Sequence, residues 1–168
     1  MKETFIQNET EKKPLRNLSL IIPVYNENVE VVKETLSQCR QVLNEHCTYE
    51  IIIVNDGSDQ QYNVKNLNND PNCIYAEHDK NQGYGVALKT GILNAKYDLI
   101  GIIDADGTYP VKRLPDLLKL ASNCDMVIGL RTGKIREIPL LRRFPKAVLN
   151  KFASYIAGTN IQDLNSGM

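Results

Sequence analysis

The sequence has no excess of one charge: 20 Lys and Arg stand against 20 Asp and Glu in 168 residues, for a formal net charge of zero. Net charge therefore argues neither for nor against a nucleic-acid partner. No apolar run approaches the roughly 18 residues of a membrane-spanning helix, and no signal-peptide pattern follows Met1. The four cysteines, Cys39, Cys47, Cys73 and Cys124, lie far apart with no C-x-x-C pair. A cysteine metal site is thereby disfavoured, and buried free thiols in a reducing compartment are expected. Internal repeats and low-complexity segments are also missing, which excludes a repeat array.

What is present is ordinary globular composition, 42% hydrophobic and 24% charged, at a length that suits one domain with a sizeable core. Residues 1–16 are polar and read as a disordered lead-in. Leu18–Val24 is a first strand with Pro23 marking its C-terminal end. A turn follows in which Asn26 or Asn28 caps a helix. That helix carries Val29, Val32, Leu36, Cys39, Val42 and Leu43 at helical spacing and runs to about Asn44. Tyr49–Val54 is a second strand ending in the turn formers Asn55-Asp56-Gly57-Ser58-Asp59. After a weak helix around Val64–Leu67, Cys73–Glu77 is a third strand, and Asn81-Gln82-Gly83-Tyr84-Gly85 opens a helix with Val86, Leu88, Ile92 and Leu93.

The stretch Asp98–Gly107 organises the chain. Its β-branched run, bounded by Gly and Asp, predicts a buried parallel strand ending in two carboxylates, Asp104 and Asp106. Pro110–Ser122 reads as a helix with Leu114, Leu117, Leu118 and Ala121 inward, its start delayed by Pro115. Asp125–Leu130 reads as another strand, 131–138 as a polar, basic loop, and Pro139 as the opening of a long helix to about Ala157.

Strands alternating with helices predict an α/β sandwich with a mostly parallel sheet. Ligands of such sheets bind beyond the carboxyl ends of the strands. Two neighbouring carboxylates repel unless a cation lies between them, and a hard divalent ion that also takes phosphate oxygens is the usual answer. Alone, D-x-D fits a loop better, with one Asp capping a helix and the other in solvent. The convergence of Tyr25/Glu27, Asp56 and Asp104/Asp106 at successive strand ends points instead to a nucleotide site.

The segments Pro23-Val24-Tyr25-Asn26-Glu27, Val54-Asn55-Asp56-Gly57-Ser58, Asn81-Gln82-Gly83, Asp104-Ala105-Asp106 and Asp163-Leu164-Asn165-Ser166-Gly167-Met168 occur in that order. Together they resemble the inverting glycosyltransferases of family two, which have the GT-A fold, a Rossmann-like α/β/α sandwich. Ile138-Pro139-Leu140-Leu141-Arg142-Arg143 before a long helix is similar to the dolichyl- and polyprenyl-phosphate sugar synthases within it. The resemblance implies a single GT-A domain over 17–168, moving a sugar with inversion from a nucleotide-diphosphate sugar to a polyprenyl phosphate. Transfer to a saccharide in cell-wall or surface polysaccharide synthesis is the alternative, and a donor-binding fragment without activity is another. A sugar-phosphate nucleotidyltransferase is disfavoured because a Gly-rich signature after the first strand is missing.

The resemblance also implies roles. Pro23, Tyr25, Glu27, Val54, Asp56, Asp104, Ala105 and Asp106 would hold the donor nucleotide; taken singly, they read as turn residues and caps. Asp104 and Asp106 would bring Mg²⁺ or Mn²⁺ to the diphosphate. Arg131 would meet a donor phosphate, and Arg142 or Arg143 the acceptor phosphate; a solvated surface charge is the other reading of each. A lipid phosphate is already ionised and needs no general base, so Asp163 is a catalytic base only for a hydroxyl acceptor. Otherwise it orients the D-x-x-S-G turn. Lys89, His46 and His78 receive no role.

Expected partners are the sugar nucleotide, a lipid-phosphate acceptor, peripheral membrane contact and a second copy of the chain, with no nucleic acid. The expected location is the cytoplasm, at the cytoplasmic face of a membrane in the full-length protein. This chain departs from the family in carrying Asn55 where Asp is frequent and Gly107-Thr108 where lipid-phosphate synthases often have Leu-Gln. Relatives usually continue beyond the S-G turn, so the domain is expected to be truncated at its C-terminus. Donor binding would then outlast transfer.

Overall fold

The computed structural model describes residues 15–59 and 70–129, together with Lys151. Most of the lead-in, the weak helix around Val64–Leu67, the basic loop, the tail and all but one residue of the long helix from Pro139 lie outside the described residues.

Four strands, β1 (Leu18–Val24), β2 (Tyr49–Asn55), β3 (Cys73–Glu77) and β4 (Leu99–Ile102), form one parallel sheet in the order β3-β2-β1-β4. Strand order reverses between β1 and β4, the switch point where open α/β sheets place a ligand crevice. Alternation along the buried strands sorts two cores. Leu18, Leu20, Ile22 and Val24 of β1, with Ile51 and Ile53 of β2, face α1 (Val29–Asn44) and α3 (Leu114–Ala121). Ile21, Ile52 and Val54 face α2 (Tyr84–Leu93). Such period-two burial on both faces is what a continuous apolar strand predicts.

Pro23 fits for a reason that parity supplies. Ile21 O accepts from Ile103 N–H at 3.1 Å, so odd residues of β1 turn their backbone groups toward β4. The β1–β4 ladder ends at Ile21↔Ile102. Pro23 lies beyond it, where no ladder donor is required.

α1 buries Val32, Thr35, Leu36, Cys39 and Leu43, and Asn28 caps it by accepting Glu30 N–H at 2.9 Å. α2 behaves differently: it buries Ala87 and Gly91 while Leu93 is exposed. A Cβ on Gly91 would lie 2.5 Å from Ile21 Cγ2, so the missing side chain is what lets α2 lie close on the sheet.

Several expectations change. β4, expected to be buried, is half-buried along all of Leu99–Ile102. Leu15 packs on the core, so ordered chain begins inside the stretch read as lead-in. The delayed helix start holds: a short 3₁₀ turn (Val111–Arg113) precedes α3, with Pro115 in the first turn of that helix where no intrahelical N–H is lost. Residues 126–129 form no ladder; they pass beside β4 across an apolar cavity of about 340 Å³ rather than pairing with it. The thiols divide too: Cys39 and Cys73 are buried, Cys47 is half-buried, and Cys124 is exposed.

Candidate functional site

Beyond the carboxyl ends of β1, β2 and β4 lies an open cavity of about 320 Å³. Of the residues singled out from sequence, Pro23, Tyr25, Glu27, Asp56, Asp104, Ala105 and Asp106 line it. Val54 does not: it is fully buried beneath α2, because the even residues of β2 face that helix. Arg131, Arg142, Arg143 and Asp163 lie outside the described residues.

The wall formed by β2 is cross-braced. Asn26, in the left-handed region at φ 52°, donates its N–H to Ser58 Oγ at 2.9 Å and accepts Asp59 N–H at 2.9 Å. The turns after β1 and β2 are thereby tied together. Asn55 accepts Ser58 N–H through Oδ1 and donates through Nδ2 to Tyr75 Oη at 3.0 Å and Glu77 Oε1 at 3.1 Å. An aspartate there would set its carboxylate against Glu77 and lose both donations, which accounts for the amide at this position.

Asp56 is 3% exposed and fully engaged. Oδ1 accepts from Gln82 N–H at 2.9 Å and pairs with His78 Nδ1 at 2.7 Å, while Oδ2 accepts from Gly83 N–H at 2.8 Å. Burial alone would raise its pKa; the His78, Gln82 and Gly83 donors more than offset that and hold it below the ordinary carboxylate value. Asp56 thus fastens the Asn81-Gln82-Gly83 loop over the cavity. Gly57 lets the two turns meet: it sits at φ +67°, and a Cβ on it would collide with the Lys80 carbonyl carbon. Only glycine accepts both conditions without strain. His78 Nε2 lies 2.8 Å from Thr90 Oγ1, so the imidazole joins the end of β3 to α2.

On the β4 side, Asp104 accepts two phenols, Tyr84 through Oδ1 at 3.0 Å and Tyr109 through Oδ2 at 2.9 Å. Burial, and next the adjacent Asp104 carboxylate, raise the Tyr84 phenol pKa. Asp106 is exposed, and its Oδ1 accepts both the N–H and the hydroxyl of Thr108, at 2.9 and 2.8 Å. Thr108 thereby fixes the Asp106 carboxylate with both its N–H and its hydroxyl.

Among the described residues no cluster of three or more His, Cys, Asp or Glu gathers as a metal cage. Two hard carboxylates at an open cavity nevertheless fit Mg²⁺ or Mn²⁺, which keep waters and substrate phosphate oxygens as their other ligands. Sequence reasoning missed His78, Tyr84 and Tyr109. The strand-end rule that selects Asp56 and Asp104 applies equally to His78, the residue after β3. The two tyrosines carry no spacing signal, since Tyr84 meets Asp104 only through the fold.

Comparison with known proteins bears on the family and the fold. The sequence profile of glycosyl transferase family 2 matches residues 19–165. An undecaprenyl-phosphate 4-deoxy-4-formamido-L-arabinose transferase of Photorhabdus laumondii is 29% identical over 156 residues, covering 89% of this chain and 47% of that protein. A dolichyl-phosphate beta-glucosyltransferase of Trichomonas vaginalis is 34% identical over 144 residues, covering 76% and 44%. The chain thus spans about half the length of the curated relatives it matches. In fold it is similar to a Pyrobaculum calidifontis mannosyltransferase solved with GDP-Man and Mn²⁺, at a TM-score of 0.53 and 21% identity, over 64% of this chain and 32% of that one. No helix among the described residues is long and apolar enough to cross a membrane.

Proposed function

This chain belongs to glycosyl transferase family 2, and on that premise we propose that it binds a nucleotide-diphosphate sugar with a divalent cation and takes part in transferring the sugar, with inversion, to a polyprenyl phosphate. The observation that carries the donor half is the cavity at the β1/β4 switch point, walled by Tyr25, Glu27, Asp56, Asp104 and Asp106. The acceptor half is supported by the names of relatives, an undecaprenyl-phosphate sugar transferase and a dolichyl-phosphate glucosyltransferase.

The roles follow from chemistry. Tyr25, 48% exposed beside the cavity, offers a face for a base to stack on. Glu27 accepts from ribose hydroxyls or base N–H groups. Asp56, spent on protein donors, shapes the pocket by holding the Gln82-Gly83 loop. Asp104 and Asp106 would hold the cation, which supplies charge neutralisation at the departing diphosphate. A polyprenyl phosphate oxygen is ionised near neutral pH, so no general base is required; Asp163 becomes a base only for an alcohol acceptor. Arg131, Arg142 and Arg143 remain proposed phosphate contacts.

Calorimetry with UDP and GDP, with and without Mn²⁺, tests the donor reading. One nucleotide should bind with a Mn²⁺-dependent gain, and Asp106→Ala should remove that gain while leaving the fold intact. Equal affinities in both proteins with and without Mn²⁺ would refute it. Extracting radiolabelled product into organic solvent separates lipid from saccharide acceptors; label confined to the aqueous phase would overturn the lipid assignment.

A further inference from the structure

Asp104 is held by two phenols in unlike settings. Tyr109 is 9% exposed and donates to Oδ2 from the same loop. Tyr84 is 51% exposed, begins α2, and donates to Oδ1 from a different element. Its ring borders both the polar cavity and the apolar cavity beside β4. A buried hydrogen bond is costly to leave unmade, whereas an exposed one is readily exchanged for water or ligand.

Oδ1 also faces a conflict. A cation on that oxygen would meet the positive end of the Tyr84 O–H dipole. A ribose hydroxyl would compete for the same acceptor with the same chemistry. A ligand that approaches Oδ1 along the direction the Tyr84 hydroxyl holds must displace that hydroxyl and forgoes its hydrogen bond. Tyr109 on Oδ2 conflicts with neither and keeps the carboxylate from turning.

Building on the nucleotide-sugar reading above, we propose that Tyr109 is a positioning residue that aims Asp104 into the cavity, and that Tyr84 is a resident competitor whose hydroxyl occupies Asp104 Oδ1 until a nucleoside diphosphate and its divalent cation displace it. The two tyrosines touch one carboxylate and act on binding with opposite signs. Tyr84 lowers donor affinity in the free protein, and Tyr109 raises it.

The test is calorimetry of UDP and GDP with Mn²⁺, and electron paramagnetic resonance titration of Mn²⁺ alone, on the whole chain and on Tyr84→Phe and Tyr109→Phe. Both substitutions keep the ring, and melting temperatures check the fold. Tyr84→Phe should bind about three- to tenfold more tightly in both titrations, the range expected for freeing one net hydrogen bond. Tyr109→Phe should bind more weakly by a similar factor. Unchanged or weaker binding by Tyr84→Phe overturns the competitor, and unchanged binding by Tyr109→Phe at full melting temperature overturns the positioning role. If Tyr109→Phe melts lower, the Tyr84→Phe arm decides. Failure of every protein to bind either nucleotide would refute the donor reading, and the Mn²⁺ titration would still judge Tyr84.

Discussion

A buried carboxylate stays charged only where donors surround it. At Asp56 three donors from Gln82, Gly83 and His78 more than offset burial, and its folded pKa falls below the ordinary value. The sign of the resulting pH dependence is fixed. A depressed folded pKa contributes stability that is full above the unfolded carboxylate pKa and is lost as pH falls through the folded one. Asp56→Asn would present an amide N–H₂ to Gln82 or Gly83 N–H, donor against donor. It should cost about 1–3 kcal/mol at neutral pH, with the gap from the native chain narrowing as pH drops below about 4. Urea unfolding at several pH values measures this, and a gap that stays constant would show that the carboxylate charge plays no part. Burial also separates the thiols: Cys39, pushed up to about 12, is inert as a nucleophile.

At the scale of elements, α2 is set by what it lacks. Its buried positions are Ala87 and Gly91, and Gly91 leaves room for Ile21 of β1. Gly91→Ala should add about 1 kcal/mol of helix propensity. It should lose more, about 1–3 kcal/mol, to the clash with Ile21. In an Ile21→Ala background the same substitution should turn stabilising. A double-mutant cycle by chemical denaturation measures the coupling; additive effects would mean that α2 does not rest on Ile21. At the other end of the sheet, Ser19 and Glu50, both buried, receive the N–H groups of Tyr97 and Lys96, at 3.0 and 2.6 Å. These bonds hold the entry to β4, and so help place Asp104 beyond its carboxyl end.

For the whole molecule, parallel strands in the order β3-β2-β1-β4 bring residues from Pro23 to Asp106 around one cavity. A ligand that binds only this assembled state stabilises it by mass action. At a concentration about 100 times its dissociation constant, the matching nucleotide with Mn²⁺ should add about 2.7 kcal/mol. That corresponds to a rise of about 5–10 °C in melting temperature for a chain of this size. Asp106→Ala should keep only the Mn²⁺-independent part. A melting temperature indifferent to Mn²⁺ at saturating nucleotide would count against a cation in the site.

The sequence by itself determined the strands β1, β2 and β3, the helix α1 with an asparagine cap at 26 or 28, of which the structure chose Asn28, and the strand-end carboxylates. Each rests on local information: apolar periodicity, turn formers, or short side chains that cap a helix. Tertiary structure decided the rest. A ladder needs a partner, so whether the apolar residues 126–129 become a strand is not set by their own pattern. A helix buries whichever face fits its neighbour, so α2 turned Gly91 rather than Leu93 to the sheet. Val54 left the site by strand parity. His78 on Asp56 and Tyr84 on Asp104 are contacts across 22 and 20 residues, which only the stacking of β3, β2, β1 and β4 brings within hydrogen-bond reach.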